Sequence, residues 1–175
     1  MAEKTIYKLD PEKRIISVDG PWDQFARENG GRNTSFSDIQ GKSIFDFITG
    51  DITRMWFEAL TQLVTLRKEP IEKPYRCDSP DLKRYMSMRI IPERSDVLRF
   101  EHDLISEEKR PVCVDIRYSY EMPCGINKIR CSICGRVKTG DLWVEPDFNH
   151  VWKRITLTVT YSVCESCSID LPCDV

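Results

Sequence analysis

The stretch "RYMSMRIIPERSDVLRFEHDLI" (residues 84–105) decides the fold, because it contains two alternating runs joined by a short polar break. In the first run Met86, Met88 and Ile90 fall on one side and Tyr85, Ser87 and Arg89 on the other. In the second, Leu98, Phe100, His102 and Leu104 share a face opposite Arg99, Glu101 and Asp103. A period of two is the signature of a strand with one face in a core and one in water. A short turn between two such strands implies antiparallel pairing. Upstream, "IEKPYRCD" (71–78) supplies another strand, with Tyr75 and Cys77 on one face.

Before these strands lies "DITRMWFEALTQLVTLRKEP" (51–70), the strongest helical pattern in the chain. Ile52, Met55, Trp56, Leu60, Leu63 and Val64 recur at spacings of three, four and seven. Asp51 suits the start as a cap, and Arg67 and Lys68 suit the C-terminal end of the helix dipole. Further upstream, "RIISVDG" (14–20) reads as a strand ending in a turn. "PWDQFARENGG" (21–31) reads as a short helix with proline in its first turn and glycines at its end. Helices covering one face of an antiparallel sheet make an α+β sandwich.

The chain has 175 residues, of which 41% are hydrophobic and 31% charged, which is enough for a globular core. Its net charge of −2 provides no general attraction to nucleic acid or anionic lipid. "MAEKTIYKLDPEKR" lacks the apolar run of a signal peptide, and no stretch is apolar enough to span a bilayer. A cytoplasmic protein without a membrane partner is therefore expected, and in that reducing compartment cysteines serve metals or redox chemistry before disulfides.

The eight cysteines are unevenly placed: only Cys77 and Cys113 precede residue 120. "EEKRPVC" (107–113) combines a charge run with proline, so the chain is divided into a domain at 1–110 and a module at 111–175. In the module "CSICG" (131–135) is answered by "CESC" (164–167). A disulfide across a two-residue gap closes a strained ring, and a redox pair belongs at a strand-to-helix turn that the sequence does not offer. Zinc held by four thiolates is commonly supplied by two such turns, so Cys131, Cys134, Cys164 and Cys167 are the candidate ligands. Gly135 fits the turn after the first pair, since it accepts a positive φ. His150 or Cys124 in a substituted site, and a second site recruiting Cys124 and Cys173, remain as alternatives.

The 29 residues between Cys134 and Cys164 exceed the usual spacing, and "DLWVEPDF" with "WKRITLTVTYSV" is expected to fill them as a β-ribbon. Four ligands leave no open position, so the ion is expected to be structural. A module this small gains much of its stability from the metal.

The order of pieces over residues 12–108, carried by "RIISVDGPWDQFARENGG", "GKSIFDFITGD", "KPYRCDSPDLKRYMSMRIIP" and "LRFEHDLISEE", resembles a PAS sensor domain. The resemblance implies a five-stranded antiparallel sheet with helices on one face and a small ligand pocket between the long helix and the sheet. The pocket wall would comprise Phe47, Ile48, Met55, Trp56 and Leu60 from the helical side. Tyr75, Met86, Met88, Phe100 and His102 would complete it from the strands. Each of these residues also reads as plain core, and an inward His102 as a histidine satisfied by a neighbour. Haem-binding members take a histidine from the long helix and light-sensing members a cysteine just before it. Residues 51–68 hold no histidine and 41–51 no cysteine, so neither haem nor flavin is expected. PAS domains often pair, which makes a homodimer an expectation, although no heptad repeat supports one.

The tail is similar to a small Cys-Ser-x-Cys … Cys-x-x-Cys module at the C-terminal end of some bacterial PAS sensors and response regulators. It keeps "CSICG" and "WV" but has Tyr161-Ser162 where that module often has His-Gly. No phosphate loop or nucleophile constellation is present, so no enzyme is expected. The expectation is a non-catalytic signal-transduction protein: a PAS-like domain binds a small molecule or partner, and a zinc-ribbon-like module contacts other proteins. The alternative is a zinc-ribbon nucleic-acid binder using Lys128, Arg130, Arg136, Lys138, Lys153 and Arg154, interleaved with Trp143, Phe148 and Trp152.

Overall fold

A computed structural model of the chain describes residues 4–24, 35–119, 128–146 and 153–169. The first sheet consists of β1 (Thr5–Leu9), β2 (Ile15–Asp19), β3 (Ile71–Arg76), β4 (Leu82–Pro92) and β5 (Leu98–Lys109). Its order is β2-β1-β5-β4-β3, and every pairing is antiparallel. The mixed α+β architecture expected from residues 84–105 is the one found. Those residues form the β4–β5 hairpin, closed at Pro92↔Leu98 and turned at 94–96, where Ser95 and Asp96 take positive φ. β1 is a strand that sequence reading passed over, although Thr5, Tyr7 and Leu9 alternate inward in "TIYKL".

Leu104 departs from the inward face assigned to it and is 37% exposed. The cause is length: β1 stops opposite His102, so β5 runs beyond that point paired with β4 alone. A register slip at Tyr85/Met86 also twists this end of the hairpin.

Helix α1 (Phe36–Ile39) buries Ile39, and α2 (Asp51–Arg67) lies on the sheet. α2 buries Trp56, Phe57, Leu60, Thr61 and Val64, and Phe57 stacks on Phe100 at 5.4 Å. Met55 and Ile52 are corrections: they are 66% and 47% exposed. On a helix with 3.6 residues per turn Met55 stands about 140° round from Leu60, so the core takes Phe57 in its place. The cap is also corrected. Gly50, at φ +89°, precedes the first turn, and Asp51 is the first helical residue. A Cβ on Gly50 would meet Tyr161 at 3.2 Å, so glycine lets the helix start approach the second sheet.

The second sheet contains β6 (Cys113–Tyr118), β7 (Lys128–Cys131), β8 (Val137–Thr139), β9 (Leu142–Val144) and β10 (Arg154–Ser162), in the order β6-β10-β7-β8-β9. β10 runs parallel to both β6 and β7, whereas β7, β8 and β9 are antiparallel neighbours. The ribbon expected between 141–148 and 152–163 is therefore wrong. β9 instead turns back on β8 through Gly140 and Asp141, with Gly140 at φ +59°. A two-residue loop with a left-handed glycine closes a local hairpin more readily than a distant strand can be recruited. β10, freed from β9, buries Leu157 and Val159 between β6 and β7.

The chain passes between the sheets from Lys109 to Cys113, but the core does not break there. Leu60, Val64 and Phe100 belong to one buried cluster with Cys131, Ile133 and Cys164. A smaller cluster of Val114, Val137, Leu157 and Val159 lies within the second sheet alone. Helical residues 22–24 begin the short helix read over 21–31, whose remainder lies outside the described residues. So do Cys124, Phe148, His150, Trp152 and Cys173. Among the described residues no helix is long and apolar enough to cross a membrane.

Candidate functional site

Cys131 ends β7, and the next three residues turn the chain back so that Gly135, at φ +76°, can donate its N–H to the Cys131 carbonyl at 3.0 Å. The second pair repeats the device: Ser168 donates to the Cys164 carbonyl at 2.9 Å, around the 3₁₀ turn Glu165–Cys167. Two equivalent turns thus point their sulfurs at one another. β10 fixes their approach, because Ser132 donates to the Ser162 carbonyl at 2.9 Å and the Cys164 N–H reaches Cys131 Sγ at 3.4 Å.

All four sulfurs, of Cys131, Cys134, Cys164 and Cys167, lie within 4.8 Å of one another, and the Cys134–Cys164 Sγ separation is 3.7 Å. A disulfide would need about 2.05 Å. A tetrahedron of sulfurs about 2.3 Å from a central ion has edges of about 3.8 Å. The chemistry of the donors agrees. Hydrogen bonds from the Cys134 thiol and from backbone N–H groups hold the Cys131 thiol well below the usual thiol range. Its hydrogen bond to Cys134 raises that thiol in turn, and burial followed by the Cys131 charge raises Cys167. Four thiolates cannot share this space unless a cation lies among them, so the cluster can hold a metal ion.

The knuckle is bolted to the first sheet. Trp56 Nε1 of α2 donates to the Cys167 carbonyl at 2.9 Å. At the end of β3 the Arg76 N–H donates to the Ile133 carbonyl at 2.7 Å, and Arg76 Nη1 to the Cys134 carbonyl at 3.3 Å. A Cβ on Gly135 would stand 2.8 Å from Arg130 Nη2 and 3.2 Å from Arg76 Cζ. Glycine is needed here for its φ and for the space it leaves two guanidiniums.

A cleft of about 480 Å³ opens where α2, the first sheet and the knuckle meet. Of the predicted wall, Phe47, Ile48, Trp56, Tyr75, Met88 and His102 line it. Leu60 and Phe100 are fully buried behind the wall, Met86 is buried without facing the cleft, and Met55 is on the outside. His102 Nδ1 and the Tyr75 hydroxyl share a 2.8 Å hydrogen bond, and the imidazole stacks on Tyr7 at 5.4 Å. Burial lowers its pKa to about 4, so it is neutral at ordinary pH. His102 Nε2 and Thr53 Oγ1, both cleft residues, are buried and hydrogen-bond nothing among the described residues.

Sequence reading missed much of the lining, including Tyr7 from β1, Thr53 and Phe57 from α2, the Arg76-Cys77-Asp78 corner, and Arg130, Ser132, Ile133 and Tyr161 from around the second sheet. The alternation of "TIYKL" was a usable signal for Tyr7. For Arg76, Asp78 and Arg130 there was none, because charged residues in short polar stretches read as surface.

Of the cations considered for nucleic acid, Arg130 is buried against Asp78, and Arg154 makes a two-pronged pair with Asp115 at 2.6 and 3.0 Å. Lys128, Arg136, Lys138 and Lys153 are exposed, and Trp143 is half-buried with its Nε1 enclosed.

No protein-family model matches the chain, and no curated protein does. A domain of an HTR-like protein from Haloarcula marismortui, known from its crystal structure, is similar at 16% identity and a TM-score of 0.41, over 59% of this chain and 98% of that one. A likeness at that level carries no argument about this chain.

Proposed function

We propose that this is a non-catalytic sensory protein: a PAS-like first sheet and helix take a small ligand, and a zinc-ribbon-like second sheet passes the signal on by protein contact. Cys131, Cys134, Cys164 and Cys167 would hold zinc, which supplies a cross-link and no reactive site, since all four positions go to protein sulfur. The observation that carries the reading is the place of the cleft. Its wall is built jointly by α2, the first sheet and the knuckle, with Trp56 both lining it and donating to Cys167. A molecule entering there touches both units at once, so it can bias how they pack.

The nucleic-acid alternative loses support from Arg130 and Arg154, which are committed to carboxylates. The proposed role is tested by thermal denaturation of the full chain against a metabolite library. A specific ligand raises the melting temperature, by an amount that keeps growing with the logarithm of its concentration above its Kd. No shift from any compound, together with no small molecule retained on purification, would leave a scaffold and not a sensor.

A further inference from the structure

The buried end of the cleft gathers positive charge beside the cysteine knuckle. Asp78 accepts hydrogen bonds from three guanidiniums: Arg76 Nε and Nη2 at 3.0 and 2.6 Å, Arg110 Nη2 at 2.6 Å and Arg130 Nη2 at 2.9 Å. None of these four side chains is more than 11% exposed. Three cations around one anion give this inner set a charge of +2. Outside it, Lys83 and Glu145 lie 3.2 Å apart and cancel, while Glu145 also takes Arg76 Nη1 at 2.7 Å. Glu108, 55% exposed, keeps its charge in water. Cys77, on the cleft wall, stays a neutral thiol because burial raises its pKa. Buried charge left without a partner is strongly disfavoured, so the inner set needs an anion of matching size close by.

The knuckle itself can supply that anion. Arg130 immediately precedes Cys131. Gly135 immediately follows Cys134, and a Cβ there would stand 2.8 Å from Arg130 Nη2 and 3.2 Å from Arg76 Cζ. Arg76 also grips the same turn twice, donating its backbone N–H to the Ile133 carbonyl at 2.7 Å and Nη1 to the Cys134 carbonyl at 3.3 Å. Two of the three guanidiniums thus pack on the loop that carries the first cysteine pair. Four thiolates around one divalent ion carry −2, equal and opposite to the inner set. A trivalent ion would reduce the cluster to −1 and leave one guanidinium over. Four thiols with no ion carry no charge, and the guanidiniums would then be buried without their counterpart.

We infer that Arg76, Arg110 and Arg130 are the counter-charge of the metal–thiolate cluster, select for a divalent ion there, and tie occupancy of the knuckle to the docking of the two sheets. The inference rests on the metal reading of the four cysteines and adds the residues that favour the loaded state. The arginines position charge and do not ligate, since a guanidinium offers donors and no acceptor. Their placement gives the cluster a reach beyond its ligands. Arg76, Asp78 and Arg130 line the cleft, so loss of the ion leaves unmatched charge on the cleft wall as well as at the junction of the sheets. By the reciprocity of coupled equilibria, a well-docked junction holds the ion more tightly.

Iron loaded in place of zinc makes the charge readable, because one electron from an electrode takes the four-thiolate cluster from −1 to −2. The full chain is measured in its iron form for reduction potential and in its zinc form for affinity, by competition with a chromophoric chelator. Arg130→Gln should disfavour the dianion at least about tenfold, which lowers the one-electron potential by about 59 mV, and should weaken zinc by a similar factor. Arg130→Lys, which keeps the charge, should recover most of both. Arg154→Gln, at the opposite end of β10 from Cys164, should change neither. A ferric–thiolate absorption spectrum shared by all variants separates lost charge from a lost ligand. An unchanged potential in Arg130→Gln with that spectrum retained overturns the inference, as does an Arg130→Lys form that shifts as far as Arg130→Gln. If Arg130→Gln does not fold, Arg110→Gln takes its place with the same expectation. If neither folds, the unaltered chain decides: chelation should speed exchange of the Arg76 amide, which bonds across to Ile133, and retained protection there overturns the inference. A chain that takes up neither zinc nor iron refutes the metal reading itself. One that binds zinc equally well with and without the Arg130 charge refutes the counter-charge alone.

Discussion

The two sheets are of equal strand number and reach stability by different routes. The first joins two runs of sequence neighbours, β1–β2 and β3–β4–β5, through the antiparallel β1–β5 pair, and its face is covered by a helix that buries Trp56, Phe57, Leu60 and Val64 against Leu9, Ile90 and Phe100. The second takes an inner strand, β10, from a distant part of the chain, pairs it in parallel on both sides, and among the described residues buries only Val114, Val137, Leu157 and Val159 as a core of its own. A sheet with so small an apolar interior needs a tie, and the four cysteines sit where one is needed: at the end of β7 and just past the end of β10. Hydrophobic burial stabilises the first sheet, whereas the second has contacts borrowed from the first and a four-cysteine cluster that can hold a metal ion.

Chelation is the largest test of that contrast. Structural zinc contributes about 10–16 kcal/mol in small domains, so a strong chelator should strip hydrogen-exchange protection from β7, β8 and β10 while the β4–β5 hairpin keeps most of its own. Loss of protection in both sheets at the same rate would show that they are not separately stabilised. Phe100→Ala removes the ring stacked between Tyr7 and Phe57 and should cost about 3–5 kcal/mol in denaturant unfolding. It should lower protection in the first sheet at least as much as in the second, the reverse of the pattern under chelation.

Gly135→Ala joins the two effects. Its φ of +76° and its 2.8 Å approach to Arg130 Nη2 make any side chain costly, by about 1–3 kcal/mol, and should weaken metal retention as well as stability. A variant that is less stable but holds metal with unchanged affinity would mean that the knuckle is independent of the arginine corner. Trp56→Phe deletes the hydrogen bond to the Cys167 carbonyl while keeping an aromatic ring, at a cost of about 1 kcal/mol. The loss should appear as faster exchange around Cys164–Ser168. Unchanged exchange there would break the link between helix and knuckle.

Much of this was legible in the sequence, and the boundary of legibility has physical causes. Residues 84–105 and 51–67 declare themselves because period two and period 3.6 are local properties. The two Cys-x-x-Cys turns are equally local. What the sequence hid depends on residues brought together from afar: β10 between β6 and β7, and Asp78 at the centre of Arg76, Arg110 and Arg130. The helix was read one position off its true face, since Met55 and Phe57 are both apolar and only the sheet beneath decides between them. β1 and the Gly140 hairpin carried usable signals that were passed over.

A pH response in the first sheet is a further test of the comparison. His102 titrates near 6.5 when unfolded and near 4 when folded, so the neutral form is favoured by folding. Its contribution is whole above pH 6.5 and is lost as pH falls toward 4, on the order of 3 kcal/mol in all. The His102 ring resonances should therefore hold their neutral positions from pH 7.5 to about 5.5. A midpoint near 6.5 would place the imidazole in water.

The most direct measurement of the central claim is native mass spectrometry of the full chain with elemental analysis of the same sample. One zinc per chain, lost together with second-sheet protection and with all four ligand thiols then open to alkylation, is the predicted result. A metal-free folded chain, or sulfur–sulfur bonds among Cys131, Cys134, Cys164 and Cys167, would contradict it.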